Sequence, residues 1–251
     1  MTIKKLFDII KEKLRKERDL KMKTKKIDKR KKYIMVLDTE TCPINREEEK
    51  VTPSNMLVYD VGYTLVDKKG NVYKTGSYIV SEIFFGEFYE KMQSSYYAKK
   101  IPNYMEDIAS GSRKVKTWNE ISYILKETIK EYNVTAIAAH NASFDFWAIK
   151  NTQKWLNEKY SFLPFIEWFD TLKMARSVIG VMPTYKRFCE NNGYLTKNGA
   201  LRFTAEIVYR FISKNNEFVE SHTGLEDTLI EKEILAYCYK QHKKMDKLLF
   251  S

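Results

Sequence analysis

The stretch Tyr33–Pro43, YIMVLDTETCP, decides how the rest of the chain is read. Five apolar or aromatic residues, Tyr33 to Leu37, run straight into Asp38, Thr39 and Glu40. Such a run predicts a buried strand. Strand side chains alternate faces, so Asp38 and Glu40 point together while Thr39 points away. Two carboxylates at the mouth of a buried strand repel each other. Acids commonly close strands, which is one sufficient explanation. A divalent cation is the other, because Mg2+ binds through one or two carboxylates and leaves its remaining positions to water and phosphate oxygens.

Outward from that strand, MLVYDVGYTLVD and NVYKTGSYIVSEIF are β-rich runs joined by Lys68-Lys69-Gly70-Asn71, a hairpin turn. The first three strands therefore form an antiparallel meander. Helical spacing follows in FFGEFYEKMQSSYYAKKI and in TWNEISYILKETIKEY, where Thr117 caps and Glu120 stands three residues later. TAIAAH is a short strand, FDFWAIKNTQKWLNEKY a helix and FIEWFDT a strand, and the chain is mostly helical from Leu172 onward. Meander, then parallel strands with crossover helices, predicts an α/β fold with a mixed sheet covered on both faces.

Two further stretches carry acids in informative places. In AIAAHNASFDFWAI the strand ends at His140, Asn141 or Ser143 caps the next helix, and Asp145 falls near its first turn. An acid there complements the helix dipole, and it also faces the crevice at the carboxyl end of the strand. His140 reads as a packed, hydrogen-bonded residue. In ESHTGLEDTLIEKEIL, Thr223 and Glu226 match a capping box, with His222 just outside the helix and Asp227 at its fourth position. Those two positions normally hold a hydrophobic staple. Here they hold a histidine and an aspartate, and Gly224 weakens the first turn, the kind of broken local rule that collects at functional sites.

The totals set limits. The 251 residues, 43% hydrophobic and 14% aromatic, suffice for one sizeable core. No apolar run approaches the roughly 20 residues of a membrane span, and no signal-peptide core stands at the N-terminus, so a cytoplasmic protein with no membrane partner is expected. Cys42, Cys189 and Cys238 are scattered, which argues against a disulfide framework or a zinc site. The net charge of +11 is uneven: residues 1–32 hold 15 Lys or Arg against 5 Asp or Glu, and the remainder 29 against 28. Residues 1–32 thus read as a basic arm, an amphipathic helix on Ile3, Phe7, Ile10 and Leu14 followed by a flexible linker, and residues 33–251 as the catalytic-size domain. Such an arm attracts phosphates without reading sequence, and a docking helix for a protein partner is the alternative. Walker, GxGxxG, GxSxG and HExxH motifs are absent.

LDTET, AHNASFD and HTGLED stand in the order and rough spacing of the three motifs of the DnaQ-like family, the histidine-bearing (DEDDh) branch of the 3′–5′ exonucleases within the ribonuclease H-like superfamily. The chain resembles that family from about Tyr33 to Tyr239, FDTLKMAR included. It is similar to the polymerase III epsilon-type proofreading exonucleases, and its Lys- and Tyr-rich composition resembles phage or mobile-element versions. It departs at Thr41-Cys42-Pro43, where many members continue Thr-Gly, and in the charged loop INREEEKVTPSN that follows.

The resemblance implies a ribonuclease H-like mixed sheet flanked by helices. It implies Asp38, Glu40, Asp145 and Asp227 as the acids holding two divalent ions, Mg2+ or Mn2+, and His222 as general base. Asp38 would bridge the ions, Glu40 and Asp227 would serve the one that activates water, and Asp145 the other. Thr39 and Phe144 would touch the terminal nucleotide. The expected activity is release of nucleoside 5′-monophosphates from single-stranded DNA 3′ ends, in DNA replication or repair, with a DNA polymerase or replication protein as a possible partner class. The alternatives are an exoribonuclease of the same superfamily and, from another class, a non-catalytic nucleic-acid-binding or polymerase-docking module. A ribonuclease H-type endonuclease ranks last, because it has no need of the His222 to Asp227 arrangement.

Overall fold

The computed structural model describes residues 27–28, 30–44, 52–93 and 98–250. The expected helix of the N-terminal arm, and most of the INREEEKVTPSN loop, lie outside them. Strand β1 (Tyr33–Pro43) is central in a six-stranded sheet of order β4-β3-β2-β1-β5-β6. It pairs antiparallel with β2 (Met56–Val66) and parallel with β5 (Val134–Ala139). β3 (Val72–Val80) continues the meander through the expected hairpin, where Gly70 takes the positive φ of 76° that the turn needs. β6 (Glu167–Asp170) extends the sheet parallel to β5.

The alternation in β1 builds two cores. Tyr33, Met35 and Leu37 enter one cluster, Ile34 and Val36 the other. The first core is covered by helices that include α4 (Trp118–Tyr132) and α5 (Ala142–Trp155), the second by α6 (Thr171–Val178), α7 (Pro183–Asn191), α8 (Ala205–Ser213) and α9 (Gly224–Lys240). Thr117 caps α4 as expected, accepting from the Glu120 N–H in a full capping box. The expected mixed α/β sheet with helices on both faces is the observed fold.

Two elements differ from expectation. The run expected as strand through Phe84 leaves β3 at Val80 and turns into α1 (Ser81–Phe84), the helical run from Phe84 forms α2 (Tyr89–Met92) after Gly86, a poor helix former, and α3 (Ile101–Ala109) follows. A further strand, β4 (Lys114–Lys116), pairs parallel with β3 at the sheet edge. Three residues reading Lys-Val-Lys carry no periodicity to detect.

The ends of β1, β5 and β6 open on one edge of the sheet, because the three run parallel. A β-bulge follows Glu40: the register steps from Glu40↔Asp60 to Thr41↔Val58, leaving Tyr59 as the extra residue of β2. The Val58 N–H, released by the irregularity, donates to Thr152 Oγ1 on α5 at 2.8 Å.

Candidate active site

Parity along β1 decides which acids meet. Asp38 and Glu40 continue the face begun by Ile34 and Val36, which α9 covers. Asp227 sits in the first turn of α9, and Asp38, Glu40 and Asp227 each bring a carboxylate oxygen within 4.8 Å of the other two. Glu220, His222 and Asp227 form a second such group. Both open on a cleft of about 640 Å³ whose lining also includes Thr39, His140, Glu231, Arg176, Arg202 and Phe203.

Thr39 faces the other way, toward α5. Its N–H and its Oγ1 both donate to Asp145 Oδ1, at 3.0 and 2.7 Å. Asp145 is therefore held across the strand end, beside the Asp38–Glu40–Asp227 group and outside its 4.8 Å circle. Phe144, on the same turn, is half-buried against the first core. The cleft has a different aromatic, Phe203, whose carbonyl accepts from His140 Nε2 at 2.7 Å while His140 Nδ1 lies 3.0 Å from Thr171 Oγ1. His140 is the hydrogen-bonded residue that its position in the sequence suggests.

The approach of α9 depends on two glycines. A Cβ on Gly62 would stand 2.0 Å from the Gly224 carbonyl carbon, and one on Gly224 would stand 2.8 Å from Gly62 N. Gly62 is the cross-strand partner of Asp38, so backbone-to-backbone contact is what sets Asp227 opposite Asp38. Gly224 thus has a packing reason, beyond any loosening of the turn. The expected reciprocal capping box is also replaced. Thr223 is the N-cap residue, but its Oγ1 donates to Glu226 Oε2 at 2.7 Å, and the Gly224 N–H is taken by Asp60 Oδ2 at 3.0 Å. Asp60 reaches it because β2 runs directly beneath the helix start.

Electrostatically the cleft is a set of acids that raise one another's pKa. Burial, then Glu231, Asp145, Glu40 and Asp227, pushes the Asp38 carboxyl well up. Burial and Glu220 push Asp227 to about 8, and burial takes Asp145 to about 7 against the pull of the Thr39 hydrogen bonds. Glu40 rises to about 7 through burial, opposed by Lys100, whose Nζ lies 3.3 Å from Glu40 Oε2 and donates to the His222 carbonyl at 2.6 Å. Oxygen donors in this number, with so little internal compensation, fit a hard divalent cation.

His222 stands in the left-handed region, φ 54°, with a side chain 57% exposed and Nδ1 3.8 Å from Glu220 Oε2. A non-glycine residue held at positive φ is over-determined by its surroundings, a pattern that clusters at functional sites. Burial and then Lys100 lower its pKa, so the imidazole is neutral near pH 7 and free to accept a proton. Lys100, Glu220 and Glu231 escaped the sequence reading. Only Glu231 left a signal there, an acid on the buried stripe of α9 four residues after Asp227.

No protein-family model and no curated protein matches the chain. Solved structures do. One is a 3′-exonuclease in 3′-end-specific recognition of a histone mRNA stem-loop, 11% identical, covering 100% of this chain and 79% of that one with a TM-score of 0.54. Others are cell-death related nuclease 4, 11% identical over 86% of this chain and 66% of that one with a TM-score of 0.52, and E. coli Exonuclease I with an oligonucleotide, 11% identical over 84% and 41% with a TM-score of 0.50. At these identities the likeness bears on the fold.

Proposed function

Since the chain shares its ribonuclease H-like fold with 3′-exonucleases, we propose that it is itself a 3′–5′ exonuclease, trimming single-stranded ends to nucleoside 5′-monophosphates with DNA as the favoured substrate. The observation that carries this reading is the convergence of Asp38, Glu40 and Asp227 within 4.8 Å, beside His222, in an open cleft. Asp38, Glu40, Asp145 and Asp227 would hold two divalent ions, Mg2+ or Mn2+, which supply a water of lowered pKa and charge relief at the scissile phosphate. His222 takes the proton from the attacking water, and Glu220 orients the imidazole from 3.8 Å. Lys100 holds the loop that carries His222 through its carbonyl.

A phosphodiester substrate also suits the opposite wall. Arg176 and Arg202 are exposed there, and among the described residues neither is in a salt bridge. Guanidiniums poised over an acidic floor attract the strand's phosphates and hold it against the carboxylates. Phe203 offers a face on which a base can stack. The basic arm, residues 1–32, would add salt-dependent affinity, and deleting it weakens binding while leaving turnover at saturating substrate intact. The reading needs no polymerase partner.

RNA is the second reading, favoured by the likeness to an exonuclease that recognises a histone mRNA stem-loop. One assay separates the readings: 5′-labelled single-stranded DNA and RNA with Mg2+ or Mn2+, wild type against Asp38→Ala and His222→Ala. A ladder growing from the 3′ end of DNA supports the first reading and preference for RNA the second. Binding without cleavage in either metal leaves only a nucleic-acid-binding module.

A further inference from the structure

Helix α9 carries a second inward acid that the assignment above leaves idle. Glu231 follows Asp227 by four residues, one turn further along the same face, on the stripe where Ile230, Ile234, Leu235 and Cys238 enter the core. It is 3% exposed. Its Oε1 accepts the His140 N–H at 3.2 Å, and its Oε2, sealed from solvent, has no hydrogen-bond partner. It lines the same cleft as Asp38, Glu40 and Asp227.

An apolar side chain at this position would continue the stripe and avoid the penalty of a buried, half-satisfied carboxylate. What surrounds Glu231 sharpens the point. Besides burial, the charged groups acting on it most strongly include Asp145, Asp227 and Glu220, all acids, and among the described residues it is in no salt bridge. Asp38 in turn feels Glu231 more strongly than any other acid. Among the described residues no cation pairs with this carboxylate, so its charge is balanced by a bound proton or by a bound cation.

We propose, resting on the exonuclease reading, that Glu231 is a fifth carboxylate of the cation-binding set: its free Oε2 serves a divalent ion on the side of the cleft shared with Asp38 and Asp145. Its Oε1 meanwhile ties α9 to the end of β5 through the His140 N–H. One residue thus links the second and third motifs mechanically; like Asp145 it stands outside the 4.8 Å circle of Asp38, Glu40 and Asp227, and it acts on both Asp38 and Asp145.

The test uses the full chain and Mn2+ alone, without substrate. Manganese binding is followed by calorimetry and by the free-ion electron paramagnetic resonance signal, and thermal unfolding is recorded with and without the ion. Glu231→Gln keeps the shape and the acceptor for His140 but removes the charge. The expected result is a variant that unfolds no lower than wild type without metal, binds Mn2+ about tenfold or more weakly and gains less on adding it. A Glu231→Gln protein equal to wild type in affinity and in metal-induced stabilisation overturns the proposal, as it would if Glu231 were simply kept protonated. If in addition Glu231→Ala alone lowers the unfolding temperature, the residue is a brace only, and the exonuclease reading survives. A wild type that shows no response to Mn2+ overturns both.

Discussion

Glu40 and Asp60 face each other across β1 and β2, and the chain treats them in opposite ways. Asp60 is fully buried, and its Oδ2 accepts from Arg113 Nη1 at 2.7 Å, Tyr104 OH at 2.9 Å and Gly224 N–H at 3.0 Å. Arg113 itself is 2% exposed, lies over the Tyr104 ring and extends to Glu226 at 3.1 Å. Burial opposes its charge, but Asp60, Tyr104 and Glu226 more than offset this and hold its pKa above the ordinary value. Toward the cleft, among the described residues, Asp38, Asp145, Asp227 and Glu231 are in no salt bridge, and Lys100 pairs with Glu40 while also acting on Asp227. A buried guanidinium one strand away, beside front carboxylates that repel one another, is the arrangement that the proposed divalent-ion role calls for. The rear pair holds the helix start in place; the front group waits for charge.

The contrast breaks most visibly at Asp38. Asp38→Asn should cost about 10⁴-fold in exonuclease rate, the loss of several kcal/mol of charge stabilisation. The metal-free protein should meanwhile unfold at a higher temperature, because one repelling charge is gone. Labelled-strand kinetics and scanning calorimetry read the two effects, and a lower metal-free unfolding temperature would show that the front acids are not in conflict. At the rear the sign reverses. Arg113→Met strands Asp60 in the interior and should destabilise by about 3–5 kcal/mol in chemical denaturation, with partial rescue by Asp60→Asn in the same chain. Additive losses in that double variant would mean that the two residues are not a unit.

The next effect is at His222. His222→Ala should lower the rate about a hundredfold or more, as expected for loss of a general base. The pH profile carries more information than the size of the loss. The folded imidazole titrates below its ordinary value, so wild-type activity should rise with pH through a limb lying below about 6.5 and be flat by neutrality. Glu206→Gln removes the carboxylate that raises the His222 pKa and should move that limb further down by a fraction of a unit. A limb that stays in place in Glu206→Gln separates Glu206 from the histidine.

How much of this lay open in the sequence follows the range of the interactions. The apolar run into Asp38-Thr39-Glu40 and the staple positions filled by His222 and Asp227 are local patterns, and both are where the chain folds around the cleft. The parity rule for β1 also foretold that Thr39 turns from the two acids; its consequence, that Thr39 would reach Asp145 on the opposite face, needed the placement of α5. Arg113 and Lys100 precede or follow ordinary surface lysines and serines, and only their distant partners, Asp60 and Glu40, give them meaning. Thr223 and Glu226 carry a capping-box signature, yet their side chains bond to each other, and Asp60, a tertiary carboxylate beneath the helix, takes the Gly224 N–H. Long-range pairing of charge is the part that one-dimensional spacing does not encode.

The smallest effect tests the front group through its protons. Glu40 and Asp145 titrate near 7 and Asp227 near 8 when folded, against ordinary values of 4.5 for Glu and 3.8 for Asp. The folded state therefore binds more protons than the unfolded one between these limits. Their contribution is fully present below about pH 4 and is lost as pH rises through 7 to 8, so the metal-free protein should unfold at progressively lower temperature from pH 5 to 8.5. Millimolar Mg2+ takes the place of those protons and should flatten the decline. Asp227→Asn removes one of the titrating groups and should reduce the slope without metal. A metal-free unfolding temperature that climbs over this pH range would mean that the front carboxylates are compensated inside the chain after all, and the distinction between Glu40 and Asp60 would lapse.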